Sequence, residues 1–311
     1  MLPGVRALLA LAVAVLAPVG ALHGQRADSV RAGYSPEACP SCAEWNAPTP
    51  PVHLFGNVYY VGTRGLSAIL LTSDAGHILL DGGLPESAAP IMANVRALGF
   101  RVEDIRAIVN SHAHYDHAGG IAAVQRASGA RVSATASSAA VLRRGMAGAD
   151  DPQHDVALPF PPVTADVRVL ADGDTVRVGP VAIAAHATPG HTPGGTSWSW
   201  RSCEGANCLD FVYADSQTPI SADGFFFTHS TTYPTALADF ARGHAVLEQL
   251  SCDVLLTPHP GASQLWERLE KRDHGQRDAL VDQQACRRYA ANARAQLARR
   301  LAAEANKGSP P

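Results

Sequence analysis

Lysine is nearly absent from this chain of 311 residues. The only lysines are Lys271 and Lys307, and neither has a serine three positions before it, so no S-x-x-K pair can supply an activated serine nucleophile. Positive charge comes from scattered arginines, the formal net charge is −3, and the pI is about 6.5. The chain therefore lacks the basic patch that nucleic-acid binding requires, and we expect no nucleic-acid partner.

The first apolar run is too short to span a bilayer, which takes about 20 residues. It covers residues 7–19, follows the single charge of Arg6, and ends at small residues in positions 19–21. This pattern is typical of an export signal, with cleavage after Ala21 or near Gly24. We expect residues 1–21 to be a signal peptide and the mature protein to be periplasmic, with no membrane attachment. A buried N-terminal helix is the alternative, although no amphipathic pattern supports it.

Six cysteines fit an exported protein, because disulfides persist where thiols are not continually reduced. One pair flanks a turn-like insert and can close a small loop, and a second can tie a strand to the final helix. The third pair forms C-x-x-C in a proline-rich segment, where we expect a structural disulfide rather than a redox or metal site. In this order, the pairs are Cys203 with Cys208, Cys252 with Cys286, and Cys39 with Cys42.

Three of the 13 histidines lie within six residues, in the motif H-x-H-x-D-H. The motif follows an apolar, β-rich run at residues 105–109. Alternate residues of an extended chain point the same way, so His112 and His114 can bind one ion. Asp116 and His117, where the chain turns into a helix, can face a second ion. The motif predicts a two-metal site, and the alternative is a set of solvated loop histidines.

Two further histidines lie in turns that follow predicted strands. His191 is surrounded by glycines and prolines that fix a tight turn, and His259 lies between two prolines. Beside an H-x-H-x-D-H motif, such turns favour a ligand role. His186 is the competitor to His191, but it lies within a strand pattern and lacks a surrounding turn.

Strands and helices are predicted in two successive groups, which indicates an α/β fold with two sheets packed face to face between outer helices. We expect an irregular arm at residues 22–52 and a single domain at residues 53–311. The predicted strands are 56–61, 67–71, 77–80, 105–109, 167–170, 176–178, 181–186, 196–200, 211–213 and 253–256, and the helices are about 91–98, 120–128, 234–250 and 278–305.

Taken in order along the chain, the motifs resemble those of the metallo-β-lactamase superfamily. They are Asp81 before two glycines, H-x-H-x-D-H, a Gly-His, a strand that ends in aspartate, and a late histidine. The resemblance covers nearly all of the mature chain and is greatest to the zinc β-lactamases of subclass B3. The features shared with that subclass are residues 190–197, the Asp215-Ser216 pair after residues 211–214, the four later cysteines, and Thr-Pro-His-Pro at residues 257–260.

The resemblance implies an αββα sandwich, two mixed sheets between outer helices, with two zinc ions in a groove at one sheet edge. It also implies an aspartate that orients the attacking hydroxide, Asp116, and one that supports the metal loop without binding metal, Asp81. The implied ligands are His112, His114 and His191 for the first zinc, and Asp116, His117 and His259 for the second.

The activity implied is hydrolysis of the β-lactam amide of penicillins, cephalosporins and carbapenems by a metal-bound hydroxide, conferring antibiotic resistance. Residues 215–233 contain no lysine or arginine, so we expect the hydroxyls of Ser216 and Thr218 to bind this small-molecule substrate. Gln153, within the proline-rich segment 151–162, can form a lip over the groove, although an ordinary surface loop is the alternative. We expect a monomer.

Two rival functions remain open from the sequence. A lactonase or glyoxalase-type thioesterase of the same fold would use an aspartate after a strand to bridge both metals, and Asp215 fits that part if the register shifts by one residue. A noncatalytic zinc-binding or C-x-x-C redox protein is the second rival, although open metal positions would serve no purpose in it.

Overall fold

In the computed structural model, seven strands form the first sheet in the order in which they occur along the chain. The first four pair as an antiparallel meander, and the last three extend the sheet in parallel. Each parallel connection crosses over through helical structure, as that geometry requires. The strands are β1 (Val52–Phe55), β2 (Val58–Tyr60), β3 (Ile69–Leu71), β4 (His77–Leu80), β5 (Ile105–Val109), β6 (Arg131–Thr135) and β7 (Val167–Leu170).

Five strands form the second sheet, in the order β12-β11-β10-β9-β8. Neighbours pair antiparallel except the last two in sequence, which pair in parallel. Both sheets are therefore mixed. The strands are β8 (Thr175–Val178), β9 (Val181–Ala187), β10 (Thr196–Glu204), β11 (Asn207–Tyr213) and β12 (Val254–Leu256).

Helices cover the outer face of each sheet. Ile91, Ile121 and Leu142, from three different helices, are buried in the apolar layer against the first sheet, and Leu247 and Ala290 belong to a cluster with residues of β11 and β12. The αββα arrangement predicted from the sequence is confirmed. The helices are α1 (Cys42–Trp45), α2 (Ala88–Ala97), α3 (Tyr115–Ala118), α4 (Ile121–Ser128), α5 (Ala136–Arg144), α6 (Ala236–Gln249), α7 (Leu265–Asp273) and α8 (Ala285–Lys307).

The core between the sheets is rich in fully buried aromatic side chains. Tyr60 comes from the first sheet, and Trp198, Phe211 and Tyr213 come from the second. The indole Nε1 of Trp198 donates a hydrogen bond to the carbonyl of Asn110 at 2.9 Å. Since Asn110 directly follows β5, this contact fixes the second sheet against the start of the histidine loop.

Several secondary-structure predictions were wrong or incomplete. β7, predicted with the second group of strands, pairs with β6 in the first sheet, because α5 makes a crossover that the mixed pattern of residues 131–144 did not reveal. The final helix begins at Ala285 rather than near residue 278, because residues 276–284 form turns in which the Asp282 carboxylate accepts from the Gln284 amide. The strands β1 and β6 and the helices α5 and α7 were not predicted.

The structure describes Met1, Tyr34, Ser35 and residues 37–307. The predicted signal peptide and its cleavage site therefore lie outside the described residues, apart from Met1. The described part of the predicted arm contains α1, which packs on the residues that follow, and the described residues from Tyr34 onwards belong to one compact unit. Within the described ranges, no helix combines the length and apolar composition needed to cross a membrane.

Candidate metal centre

The histidine loop leaves the buried end of β5 and is held from below by Asp81. This fully buried carboxylate accepts hydrogen bonds from the amide of Ser111 at 2.7 Å and from the hydroxyl of Tyr213 at 2.7 Å. Burial raises the pKa of Asp81, although His117, Tyr213 and Ser111 act in the opposite direction. Asp81 thus fixes the residue before His112 and lies beneath the loop.

Three imidazoles converge on one point above this loop. His112 and His114 come from the loop itself, and His191 comes from the turn between β9 and β10; their ligand atoms lie within 4.8 Å of one another. The turn requires Gly190, which has φ +139° and lies so close to Phe240 that a Cβ atom would be 2.5 Å from its ring. The sequence pattern around His191 is therefore explained by a close approach between the turn and α6.

A second group forms where the loop enters α3. His112, Asp116 and His117 also offer ligand atoms within 4.8 Å of one another. Asp116 Oδ2 lies 3.3 Å from His117 Nε2 and 3.3 Å from His259 Nε2. All six residues expected as ligands are therefore brought together: the two groups share His112, and His259 lies against Asp116.

In four of the five imidazoles, one ring nitrogen makes a hydrogen bond that orients the ring. His112 Nδ1 donates to Asp215 Oδ1 at 2.8 Å, and His114 Nε2 donates to Asp151 Oδ2 at 2.9 Å. The Nδ1 atoms of His191 and His259 donate to backbone carbonyls, of Thr218 at 2.8 Å and of Gly65 at 3.3 Å. Each bond uses one ring nitrogen and leaves the other free to bind a metal.

The donor set fits a metal ion. Among the described residues, the Nε2 atom of His112 is buried and has no hydrogen-bond partner, which is costly in a site that holds nothing. Burial lowers the pKa of His112 well below its usual range, and the neighbouring imidazoles lower it further, so the ring is neutral and can bind metal. Burial raises the pKa of Asp116, but His117 and His259 more than offset this and keep it ionised. Neutral imidazoles with one carboxylate suit zinc.

The centre opens into a groove of about 360 Å³. Its walls include the three residues expected to bind substrate, Ser216, Thr218 and Gln153. Gln153 Nε2 lies 3.4 Å from His191 Nε2, so the segment 151–162 does reach the metal centre rather than forming a remote surface loop.

Several wall residues were missed from the sequence. Trp45 lies with its ring centroid 5.1 Å from that of His259, and α8 contributes Tyr289, Asn292 and Gln296. Asp151, the partner of His114, was also missed. No local pattern marks these residues, because each reaches the centre only through contacts between distant parts of the chain.

The two residues considered as alternatives lie elsewhere. His186 contacts Ser199, with Nε2 2.7 Å from Oγ, and does not line the groove. Asp215 contacts the Nδ1 side of the His112 ring, whereas the unpartnered Nε2 atom points in a different direction. This position suits a residue that orients His112 better than one that bridges two metals.

The six cysteines form three disulfides, Cys39–Cys42, Cys203–Cys208 and Cys252–Cys286. The first lies in the cluster that packs under Tyr115, next to Asp116. The third joins the residue before Asp253 to the first turn of α8. No cysteine among the described residues is left free.

Comparison with known families decides what kind of centre this is. The profile of the metallo-beta-lactamase superfamily matches residues 61–271. The chain belongs to this superfamily. The resemblance inferred from the sequence motifs is thereby confirmed.

Solved structures of subclass B3 share both fold and sequence with this metallo-β-lactamase superfamily member. The Rm3 metallo-beta-lactamase superposes with a TM-score of 0.84 at 56% identity, covering 86% of this chain and 98% of that one. MEM-A1, a subclass B3 enzyme from a soil metagenome library, gives 0.83 at 47% identity, covering 85% and 100%. SMB-1 in complex with mercaptoacetic acid gives 0.80 at 44% identity, covering 84% and 99%.

A curated relative is more distant. The hydroxyacylglutathione hydrolase of Anaeromyxobacter dehalogenans is 34% identical over 132 residues, which are 42% of this chain and 41% of that protein. This chain thus matches about two fifths of the length of that relative. With the fold and the solved neighbours, the superfamily makes this chain a zinc-dependent hydrolase with a metal-binding site.

Proposed function

We propose that this enzyme hydrolyses the amide bond of β-lactams, including penicillins, cephalosporins and carbapenems, and so confers antibiotic resistance. The observation that carries the proposal is the convergence of five imidazoles and Asp116 in one centre that opens into a groove, in a chain 56% identical to the Rm3 metallo-beta-lactamase.

Two zinc ions per chain are proposed for this centre. His112, His114 and His191 would hold the first, and Asp116, His117 and His259 the second. When bound, zinc lowers the pKa of a coordinated water to about 7 and polarises a carbonyl oxygen. This supplies hydrolytic chemistry without an activated serine or cysteine.

Asp116 would also act on the attacking water, because of the way its two oxygens are placed. Oδ2 faces the imidazoles of His117 and His259, which leaves Oδ1 to accept a proton from the attacking water and to orient it. Because Asp116 is buried and ionised, it holds this geometry without competition from bulk solvent.

Neutral groups would bind the carboxylate of the β-lactam. The described residues that line the groove include no lysine or arginine. Ser216 and Thr218 offer hydroxyl donors on the wall, and Gln153 offers an amide above His191. Hydrogen bonds to a charged group contribute about 1.5–3 kcal/mol each, so a few such donors can replace a cation.

Hydrolysis of a thioester is the second candidate function, because the curated relative is a hydroxyacylglutathione hydrolase. That match covers less than half of either chain, and the contact of Asp215 with His112 Nδ1 does not favour the bridging aspartate expected of such enzymes or of lactonases.

We propose further that the enzyme is an exported monomer, cleaved near Ala21, with its catalytic domain at residues 53–311.

Carbapenem ring opening, followed by absorbance with the purified mature protein before and after a chelator, tests the proposal. An acyl-homoserine lactone and a glutathione thioester are assayed in parallel. Rapid carbapenem loss that stops on chelation and returns with zinc would support β-lactam hydrolysis. A zinc-loaded protein that leaves the β-lactam intact and cleaves the lactone or the thioester would contradict it.

A further inference from the structure

The helix α8 runs beside the chain segment that carries the proposed carboxylate-binding hydroxyls. At one end of the contact, the hydroxyl of Tyr289 donates to the carbonyl of Asp215 at 2.9 Å. At the other end, Arg300 donates to Ser221 Oγ and to the carbonyl of Phe225, both at 2.8 Å. About 16 Å of helix separates the two anchors, at 1.5 Å per residue. The anchors hold this part of α8 against residues 215–225 as one wall of the groove.

Two amide side chains lie on this wall between the anchors. Asn292 and Gln296 both line the groove, and residues four apart lie on the same helix face, about 6 Å apart along the axis. Ala293 between them is small and buried, so the two amides border an open stretch of the wall.

Neither amide side chain makes a hydrogen bond among the described residues. Asn292 is exposed and Gln296 is half-buried. The side-chain hydrogen bonds of α8 come from other residues, namely Arg287, Arg288, Tyr289, Arg294, Arg300 and Glu304. The two amides are therefore free to bind a ligand without breaking a contact of the fold.

We propose that Asn292 and Gln296 form a subsite that recognises an uncharged, hydrogen-bonding substituent attached next to the ring carboxylate of the substrate. This rests on the proposed β-lactam hydrolysis, in which Ser216 and Thr218 bind that carboxylate. An amide both donates and accepts, and so matches a carbonyl, amide or hydroxyl group. A hydrocarbon substituent gains nothing from either amide, so the pair confers selectivity among substrates of one ring class.

Two β-lactams with the same ring, but different substituents beside the carboxylate, test the subsite. One substituent carries an amide, and the other is a hydrocarbon of similar size. The readout is the ratio of the two kcat/KM values, measured for wild type, Asn292→Leu, Gln296→Leu and the double variant. Asn306→Leu is the matched control, since it makes the same change at an exposed position of α8 outside the groove. Zinc content is measured for every variant.

A neutral hydrogen bond contributes about 0.5–1.5 kcal/mol, so each single variant should lower the preference for the amide-bearing substrate by about two- to tenfold. The loss should appear mainly in KM, and Asn306→Leu should keep the wild-type ratio. Equal losses for both substrates, or an unchanged ratio in the double variant, would overturn the subsite and leave β-lactam hydrolysis standing. A zinc-loaded wild type that opens neither ring would instead overturn the proposed function, and the subsite with it.

Discussion

Four of the five histidines of the centre are oriented by a hydrogen bond to a group behind the ring. Asp215 and Asp151 accept from His112 and His114, while backbone carbonyls accept from His191 and His259. Such partners fix the ring orientation and the tautomer, and they increase the basicity of the ligand. The affinity of the centre for zinc is therefore set partly by residues outside the groove.

Substituting Asp215→Asn should weaken zinc binding by about 10- to 100-fold, because the neutral amide holds His112 less firmly in its metal-binding tautomer. Competition with a chromophoric chelator measures the affinity. Asp210→Asn, on the strand β11 that precedes Asp215, is the matched control, since Asp210 pairs with the exposed Arg201 and does not line the groove. Wild-type zinc affinity in Asp215→Asn would contradict the role given to Asp215.

A second residue-level effect concerns His244 on α6, which is fully buried with both ring nitrogens unpartnered among the described residues. Burial, together with nearby Arg294, lowers its pKa to about 4, while Glu248 acts in the opposite direction. The unfolded chain binds a proton at this residue below about pH 6.5, and the folded protein does so only near pH 4. The free energy of unfolding should therefore fall as the pH drops from about 6.5 to 4.

Comparison of wild type with His244→Leu isolates this contribution, because the titration of all other groups cancels in the difference. The stability of the variant relative to wild type should rise as the pH falls through that interval. Denaturant unfolding at several pH values gives the measurement, and His274→Leu, at an exposed position, is the control. A difference that stays constant with pH would show that His244 titrates alike in both states.

Two disulfides connect secondary-structure elements, and they close chain loops of different length. Cys252–Cys286 joins the segment before β12 to α8 across 34 residues, whereas Cys203–Cys208 closes the hairpin of β10 and β11 across five. A cross-link over a longer loop restricts the unfolded chain more. Because Cys286 lies in the first turn of α8, the Cys252–Cys286 disulfide also helps to hold the α8 wall against the groove.

Replacing Cys252 and Cys286 with alanine should lower the free energy of unfolding by about 4 kcal/mol, against about 2 kcal/mol for the same change at Cys203 and Cys208. Urea unfolding of both double variants measures the difference. Only the first variant should also raise KM, since only that disulfide adjoins α8. An equal effect of the two changes on both quantities would contradict this assignment.

In the whole molecule, the centre joins parts of the chain that are far apart in sequence. Its six proposed ligands come from the loop after β5, the turn before β10 and the loop after β12, so both sheets contribute. Metal bound there holds the two sheets together, and a ligand that binds only the folded state stabilises it by mass action.

Chelation should therefore lower the unfolding temperature as well as abolish activity. At free zinc a thousandfold above its dissociation constant, the stabilisation is about 4 kcal/mol. Calorimetry of the apo and zinc-loaded protein measures it, and His191→Ala should show a smaller zinc-dependent shift. An unfolding temperature that does not respond to zinc would argue against a centre that links the sheets.

The sequence by itself determined the features that rest on local patterns. Apolar periodicity predicted most strands and the helices α2, α4, α6 and α8, turn residues predicted the loops of His191 and His259, and the motif at residues 112–117 predicted a metal site. Together these patterns were enough to identify the superfamily and the αββα fold, because hydrophobic period and turn chemistry act over a few neighbouring residues.

Only the tertiary structure decided which residues support and surround the centre. Asp151, Trp45 and the α8 amides reach the groove across long stretches of chain, and β7 joins the first sheet through a crossover. Such contacts depend on how layers pack rather than on local propensity, so no short segment carries a signal for them. The same packing placed Asp215 behind His112, which the chain order alone left open.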